Sequence, residues 1–253
     1  YLDYLRDHRI QGEPIFPAAG YVEAALAAGG DLPLTLENLE LRQAIPLETA
    51  AAIHVQLNEG RFVISSRTRE DLWSSHVQGA ILSKGLPALH ASLDLASLQA
   101  RCGIALEVSA LYTALQGRGL EYGKRFRPIQ ALWLGDREAL ARLELDEALW
   151  EDADRYRVHP VLLDGAFQAF TAFLGDSDQG VYVPVSIRQV RAHLPLPVRV
   201  WAHVTLSRRT SRFVEGDLTL YDPTGQVLVE VNGLRLRQIS GSTTLNQESE
   251  GWF

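Results

Sequence analysis

The chain has 253 residues, of which 46% are hydrophobic and 22% are charged, and its formal net charge is −7. A chain of this size and composition can bury a hydrophobic core without disulfide bonds or structural metal ions. Its single cysteine, Cys102, excludes a disulfide scaffold. The negative charge argues against nucleic acid as a partner. The lack of a long apolar run or signal peptide predicts a cytosolic protein that does not enter a membrane. The absence of Met indicates that the chain is part of a longer protein or lacks some residues.

The first half of the sequence predicts one helix followed by strands. The Ala-rich stretch Pro17 to Ala28 predicts a helix that ends at Gly29 and Gly30. A turn at Asn58, Glu59 and Gly60 is typical of a hairpin. The predicted strands of this half cover residues 35–45, 50–57, 61–67 and 72–83. Residues from about 86 to 106 are predicted to cross over to the second half.

The second half repeats this organisation. Apolar side chains at helical spacing predict a helix from Val161 to Leu174, with Pro160 at its start, and a less strongly patterned helix covers 108–116. The turn Asp222 to Gly225 separates the last two predicted strands. The predicted strands cover residues 126–134, 138–144, 181–191, 198–207, 213–221 and 226–238. The polar tail from Ser240 to Gly251 is typical of a linker.

The segment from His8 to Pro17 is the first candidate for chemistry. His8 is followed four residues later by Gly12 and five residues after that by Pro17, which leads into the first helix. A helix start offers free N–H groups that suit an oxygen gaining negative charge. A lone His is usually structural or solvated, and Gly12 alone would be an ordinary turn residue.

Asp164 is the second candidate. It lies in the first turn of the second helix, between apolar neighbours, and Gln168 follows one turn later on the same face. A carboxyl group in an apolar pocket has a raised pKa, stays protonated near neutral pH and can act as an acid. The alternative is a carboxylate that only stabilises the helix start.

The third candidate is the loop of Tyr122, Gly123 and Phe126, which also carries the basic residues Lys124, Arg125 and Arg127. The alternative for this loop is an aromatic strand entry with solvated charges. Other chemistries have little support. The surroundings of Cys102 show no pattern of a thiol nucleophile, and no metal-binding or phosphate-loop motif is present.

Together these three segments resemble the dehydratase domain of modular polyketide synthases. His8, Gly12 and Pro17 match the family motif HxxxGxxxxP, and Tyr122, Gly123 and Phe126 match a YGxxF-type motif. Asp164 and Gln168 match the DxxxQ/H motif, behind His159 and Pro160. The resemblance covers residues from about 1 to 239. One departure is Lys124, where the family often has Pro.

The resemblance implies an α+β double hotdog, in which each half is a helix wrapped by an antiparallel sheet. We place the N-terminal hotdog at residues 1–105, the C-terminal hotdog at 106–239 and a linker at 240–253. The active site would lie between the halves, with His8 from the first and Asp164 from the second.

The resemblance also implies a hydro-lyase that dehydrates a 3-hydroxyacyl thioester to a 2,3-enoyl thioester, with the trans product expected. His8 would be the general base and Asp164 the general acid. Gln168 would orient Asp164, Tyr122 would position the hydroxyl, and the Gly12 N–H would bind the thioester carbonyl. Pro17, Gly123 and Phe126 would line the substrate site.

The cofactor and partners follow from the same resemblance. No metal or other cofactor is expected, because the substrate is carried on the phosphopantetheine of an acyl carrier protein. Neighbouring synthase domains and a second copy, in a homodimer, are the other expected partners. Lys124, Arg125 and Arg127 are candidates for docking the acidic carrier.

Two alternatives stay open. One is another enzyme on the same fold, namely an enoyl isomerase, a pyran-forming cyclase or a thioesterase. The other is a non-catalytic double hotdog that serves as a scaffold. The presence of both His8 and Asp164 favours water loss over either alternative.

Overall fold

A computed structural model describes residues 3–82, 94–175, 178 and 180–239. The predicted linker at 240–253 and much of the predicted crossover lie outside the described residues. The helices are α1 (Ala18–Gly29), α2 (Leu95–Arg101), α3 (Val108–Gly117) and α4 (Pro160–Ala169). The strands are β1 (His8–Ile10), β2 (Glu13–Pro14), β3 (Leu34–Leu41), β4 (Ala50–Asn58), β5 (Arg61–Thr68), β6 (Trp73–Leu82), β7 (Ile104–Leu106), β8 (Leu120–Tyr122), β9 (Ile129–Leu134), β10 (Glu138–Glu144), β11 (Val181–Ala192), β12 (Arg199–Arg209), β13 (Phe213–Tyr221) and β14 (Val227–Ile239).

Eleven strands form one antiparallel sheet in the order β4-β5-β6-β3-β11-β14-β13-β12-β10-β9-β7. The strands β4, β5, β6 and β3 come from the first half of the chain, and the other seven come from the second half. The two halves meet where β3 pairs with β11, for example at Leu36 and Val190. The α+β double hotdog is confirmed, with its two sheets hydrogen-bonded edge to edge.

The two central helices are α1 and α4. All ten residues of α4 are buried, and α1 buries seven of its twelve residues. Helix α1 packs against β3, β4, β5 and β6, whereas α4 packs against β9, β10 and β12. The two helices also contact each other. A helix that is apolar around most of its surface needs this kind of enclosure, because a sheet on one side alone would leave apolar area in water.

A small second sheet joins the halves at the site. Its strand order is β2-β1-β8, so β1 from the first half pairs with β8 from the second. The pairing places His8 opposite Tyr122. Strands β1 and β2 form a tight hairpin whose turn residues, Gln11 and Gly12, both have positive φ, as this type of turn requires. The sequence analysis did not predict these short strands, because three residues are too few to show a period of two.

The middle of the chain contains two elements that the sequence analysis did not predict. Helix α2 lies in the predicted crossover, with Asp94 accepting hydrogen bonds from Ala96 N and Ser97 N at its start. Its Leu98 packs with Cys102 and Leu140, and β7 pairs with β9. Both elements therefore belong with the second half, although the predicted boundary assigned residues up to 105 to the first.

The helix predicted from Val161 to Leu174 is shorter than expected. Helix α4 ends at Ala169, and Phe170–Phe173 continue as a tighter 3₁₀ turn. The Thr171 hydroxyl donates a hydrogen bond to Gln168 O and so provides a donor for a carbonyl at the helix end. Within the described part of the chain, no helix is long and apolar enough to cross a membrane.

Candidate active site

His8 is the first residue of β1, and only 6% of its surface is exposed. Its Nδ1 lies 2.8 Å from the carbonyl oxygen of Ile15, which faces it across the β1–β2 hairpin. A carbonyl oxygen can only accept, so Nδ1 must carry the hydrogen. In the neutral imidazole, Nε2 then holds the lone pair. The hairpin therefore fixes both the orientation and the tautomer of His8.

Asp164 faces His8 from the buried helix α4. Its Oδ1 lies 3.9 Å from His8 Nε2, and its Oδ2 accepts a hydrogen bond of 2.9 Å from Gln168 Nε2. Burial raises the pKa of Asp164, and the nearby His8 and the hydrogen bond from Gln168 only partly oppose this rise. A basic nitrogen and a carboxyl group with a raised pKa thus face each other, one from each half of the molecule.

Helix α4 is held against α1 by a second buried carboxylate. Glu23 of α1 accepts hydrogen bonds from Arg157 N at 3.1 Å and Val158 N at 2.7 Å, just before α4 begins. Burial raises the pKa of Glu23 to about 6, although both backbone N–H groups oppose the rise. Sequence reasoning did not identify Glu23; a lone Glu within an Ala-rich helix face was the available signal.

His159 forms the start of α4 and does not reach the catalytic pair in any described contact. Its Nδ1 accepts from Val161 N at 3.2 Å, which satisfies one free N–H group of the helix. Burial lowers the pKa of His159 to about 3, so the imidazole stays neutral. The His-Pro pair of the sequence motif therefore starts the helix that carries Asp164.

Tyr122 and Phe126 form an aromatic wall beside His8. Their ring centroids lie 5.6 and 5.4 Å from that of His8. Among the residues that the structure describes, the Tyr122 hydroxyl has no hydrogen-bond partner. Burial raises the pKa of Tyr122 well above its usual value, so this hydroxyl stays protonated. It can therefore donate a hydrogen bond to a bound molecule.

Gly123 and Pro17 have structural roles that can be read directly from the geometry. Gly123 N donates to Asp7 O, and a Cβ at Gly123 would come within 2.5 Å of the Asp7 side chain. Only glycine permits this approach of the Tyr122 loop to the segment before His8. Pro17 is buried and occupies the residue before α1.

Gly12 is not brought to the catalytic pair. It lies at the exposed tip of the β1–β2 hairpin, two residues beyond β1, and its carbonyl accepts from Arg9. Among the described residues, no hydrogen bond joins Gly12 to His8 or Asp164, and binding of a thioester carbonyl by the Gly12 N–H stays a prediction. The φ of +85° at this position explains why the residue is a glycine.

The three basic residues of the same loop do not form a free basic patch. Arg125 donates to both carboxylate oxygens of Asp7, and Arg127 donates to Tyr122 O. Lys124 is 87% exposed and pairs with Asp146. Internal partners hold the guanidinium groups of Arg125 and Arg127, and docking of a carrier protein at these residues stays a prediction.

Tyr112 of α3 is a site residue that the sequence analysis missed. Its hydroxyl lies 3.1 Å from Gln168 Oε1 and 3.2 Å from Ile129 N, and it is buried. The Tyr122 ring packs edge-on against it. The helical spacing of 108–116 predicted α3 correctly, but no local motif marks Tyr112 as part of the site.

The arrangement as a whole suits proton transfer at two neighbouring atoms of one substrate. It offers a base nitrogen, an acid oxygen and a free hydroxyl in a site with low exposure to water. Within residues 3–82, 94–175, 178 and 180–239, no three His, Cys, Asp or Glu side chains gather closely enough to hold a metal ion. The described side chains thus form an acid–base site.

Family models match nearly the whole chain. Residues 90–246 match a model described as polyketide synthase dehydratase N-terminal domain, and residues 2–70 match one described as polyketide synthase dehydratase domain. The chain is 29% identical over 266 residues to polyketide synthase PksM of Bacillus subtilis, covering 94% of this chain and 6% of that protein. It is 30% identical over 203 residues to mycoketide-CoA synthase of Mycobacterium tuberculosis, covering 75% and 5%. The chain thus spans only a small part of these relatives.

Solved dehydratase domains share the fold. The dehydratase domain from the CurF module of curacin polyketide synthase is 28% identical, with a TM-score of 0.84 over 94% of this chain and 89% of that one. Two inactive mutants of the CurK dehydratase are also similar. One carries a His-to-Phe change (26% identity, TM-score 0.84, 95% and 89% covered), and the other an Asp-to-Asn change (27%, 0.83, 94% and 89%).

Proposed function

Because the chain belongs to the polyketide synthase dehydratase family, we propose that it dehydrates a 3-hydroxyacyl thioester on an acyl carrier protein to a 2,3-enoyl thioester. The step would serve polyketide chain extension. The observation that carries this proposal is the buried pair of His8 Nε2 and Asp164 Oδ1, 3.9 Å apart. Elimination of water needs a base at one carbon and an acid at the oxygen of the next carbon.

The proposed reaction balances with these two groups alone. His8 Nε2 takes the proton from the α-carbon, and the C–H electron pair forms the new double bond. The C–O bond at the β-carbon breaks, and Asp164 donates its proton so that water leaves rather than hydroxide. The site then holds an imidazolium and a carboxylate, and the proton returns from His8 to Asp164 for the next cycle. The Tyr122 hydroxyl is free to donate to the β-oxygen of the substrate.

The similar proteins support this assignment. In the CurK dehydratase, structures of a His-to-Phe and an Asp-to-Asn variant are described as inactive mutants. The same two residue types form the pair in this chain. Both side chains are buried here, which strengthens their electrostatic effect on a substrate.

The test is a comparison of wild type with His8→Ala and Asp164→Asn. Each enzyme is incubated with a 3-hydroxyacyl thioester, on a carrier protein and on a short pantetheine mimic, and the loss of water is followed by mass and ultraviolet absorbance. General acid–base catalysis contributes roughly 10²- to 10⁴-fold, so we expect each variant to lose at least about a hundredfold in turnover.

Matched controls are His54→Ala and Asp71→Asn. Both side chains are exposed and lie on or beside the outer strands of the first half. We expect wild-type turnover from both. Wild-type enzyme that releases no water from either hydroxyl configuration would contradict the proposed function. Near-normal turnover in His8→Ala or Asp164→Asn would contradict the assigned roles.

A further inference from the structure

Tyr112, Gln168 and Asp164 form a chain of buried hydrogen bonds behind the catalytic pair. The chain begins at Ile129 N, passes through the Tyr112 hydroxyl to Gln168 Oε1, and continues from Gln168 Nε2 to Asp164 Oδ2. The distances along it are 3.2, 3.1 and 2.9 Å. Tyr112 comes from α3 and Gln168 from α4, so the chain links two helices that the sequence does not place together.

The direction of the first two bonds is fixed by the backbone. Ile129 N–H can only donate, so the Tyr112 oxygen must accept from it. The hydroxyl hydrogen of Tyr112 is then available for Gln168 Oε1, which can only accept. A buried backbone N–H rarely stays without a partner, which makes this arrangement costly to reverse.

The Gln168 amide is fixed from its other end as well. Its Nε2 lies 3.1 Å from Phe126 O, a carbonyl that can only accept. One N–H of Gln168 is therefore used by Phe126, and the other points to Asp164 Oδ2. Turning the amide over would set two oxygens against each other at Phe126 and would leave the Tyr112 hydroxyl facing an N–H group.

Asp164 is consequently asymmetric. Its Oδ2 accepts from Gln168. In a neutral carboxyl group the carbonyl oxygen accepts a hydrogen bond more strongly than the hydroxyl oxygen, so this bond favours the proton on Oδ1. Oδ1 is the oxygen that lies 3.9 Å from His8 Nε2. We infer that Tyr112 is a positioning residue which, through the Gln168 amide, keeps the transferable proton of Asp164 on the oxygen facing His8.

This inference rests on the proposed dehydratase function and adds a residue to it. Gln168 alone could orient Asp164 in either of two ways, with its amide nitrogen or its amide oxygen toward the carboxyl group. The Tyr112 hydroxyl and the Phe126 carbonyl together select the first. Arg127 lies 5.2 Å from the Tyr112 ring and bonds Tyr122 O, which helps to hold the ring in place.

The first test is Tyr112→Phe, which removes the hydroxyl but keeps the ring. Gln168 Oε1 then loses its donor, so only the Phe126 carbonyl still opposes a turn of the amide that would bring its oxygen toward Asp164 Oδ2. A carboxyl proton on Oδ2 would be stabilised there, away from the substrate. We expect kcat to fall about ten- to a hundredfold, within the range of a lost general acid, with little change in KM.

The pH profile separates this effect from simple loosening of the site. In wild type the N–H of Gln168 lowers the pKa of Asp164. An amide oxygen in its place would favour the protonated acid, so the basic limb of kcat should move to higher pH in Tyr112→Phe. Loosening that admits water would weaken the burial effect and move the same limb to lower pH.

One control and one rescue variant accompany this test. Tyr21→Phe removes another buried hydroxyl, which makes no hydrogen bond to Tyr112, Gln168 or Asp164, and should leave kcat and the pH profile unchanged. Replacement of Tyr112 by 4-aminophenylalanine retains a group that both donates and accepts, and it should restore most of the turnover. This variant also tests the role of the Tyr112 hydroxyl if Tyr112→Phe does not fold.

A double-mutant cycle tests whether Tyr112 acts through Gln168. In the Gln168→Leu background, Tyr112→Phe should reduce kcat by no more than about twofold, because the path to Asp164 is already broken. Independent, multiplicative losses in the double variant would overturn the inference.

An infrared measurement that does not depend on turnover tests this inference separately from the proposed function. The infrared band of the protonated Asp164 carboxyl group, identified by its loss in Asp164→Asn, is titrated in wild type and in Tyr112→Phe. We expect the band to change frequency and to persist to higher pH in the variant. An unchanged band and titration would overturn the inference even in an active enzyme, whereas an inactive wild type would contradict only the proposed dehydration.

Discussion

At the scale of the residue, the proposed mechanism makes the pH range of the reaction depend on the protonation state of Asp164. Burial raises its pKa, so the acid form persists to higher pH than for an exposed carboxyl group. The proposed mechanism needs Asp164 protonated and His8 neutral at the same time. Under this mechanism, the burial of one carboxyl group sets the upper pH limit.

This gives a prediction for the pH dependence of kcat. We expect a bell-shaped profile whose basic limb falls as Asp164 loses its proton. Asp164→Asn cannot titrate, so its residual turnover should lack this limb. The measurement is kcat from about pH 5 to 10 for both enzymes. A wild-type rate that keeps rising to pH 10 would show that the essential group is not an acid.

At the scale of the element, the position of α4 depends on one glycine. A Cβ at Gly165 would overlap the ring of Pro128, which lies in the loop between Phe126 and Ile129. That loop supplies the carbonyl and the N–H group that hold Gln168 and Tyr112. The close contact between α4 and Pro128 thus holds Gln168 in position relative to Tyr112 and Phe126 O.

We predict that Gly165→Ala lowers both stability and turnover. Overpacking of this kind costs about 1–3 kcal/mol, and a shift of α4 would stretch the bonds to Phe126 O and Tyr112. The free energy of unfolding in urea and kcat are measured. Gly117→Ala is the control, because its Cβ would meet open space at the end of α3, and it should be neutral or slightly stabilising. Equal stability of the two variants would contradict the close-contact explanation.

At the scale of the whole molecule, His8 and Asp164 come together where the two halves meet. The β3–β11 pairing, the β1–β8 pairing and the bonds from Glu23 to the start of α4 all cross this junction. The ion pair of Asp7 and Arg125 adds a fourth connection, directly beside His8. Burial alone would raise the pKa of Asp7, but the hydrogen bonds and charge of Arg125 outweigh it and lower this pKa.

We predict that Asp7→Asn destabilises the protein by about 1–2 kcal/mol at neutral pH, because charge-assisted bonds across the junction are lost. Since the pKa of Asp7 is lowered in the fold, this stabilisation is present above pH 4 and disappears as Asp7 is protonated at lower pH. Unfolding free energies of both proteins at pH 7 and pH 3 measure it.

The control for this prediction is Asp71→Asn, which breaks an exposed pair with Arg67 within the first half. It should change stability by less than about 0.5 kcal/mol. A difference between wild type and Asp7→Asn that stays constant down to pH 3 would show that the ion pair does not carry the effect.

The sequence by itself determined the two central helices and all but the shortest strands, because apolar periodicity and turn residues are local signals. The fold class came from the resemblance to a known family. It also identified His8, Asp164, Gln168 and Tyr122 as site candidates, because three spaced motifs point to one family. Helix α2 and strands β1, β2, β7 and β8 escaped prediction, since short elements have too few residues to show a period.

The tertiary structure alone decided which groups meet. The tautomer of His8 follows from Ile15 across a hairpin, and the proton-bearing oxygen of Asp164 follows from Tyr112, 52 positions earlier in the chain. The internal partners of Arg125 and Arg127, and the exposed position of Gly12, likewise come from contacts that the sequence does not encode locally. Side-chain chemistry is a property of the residue, but hydrogen-bond direction and burial are set by neighbours that only folding brings together.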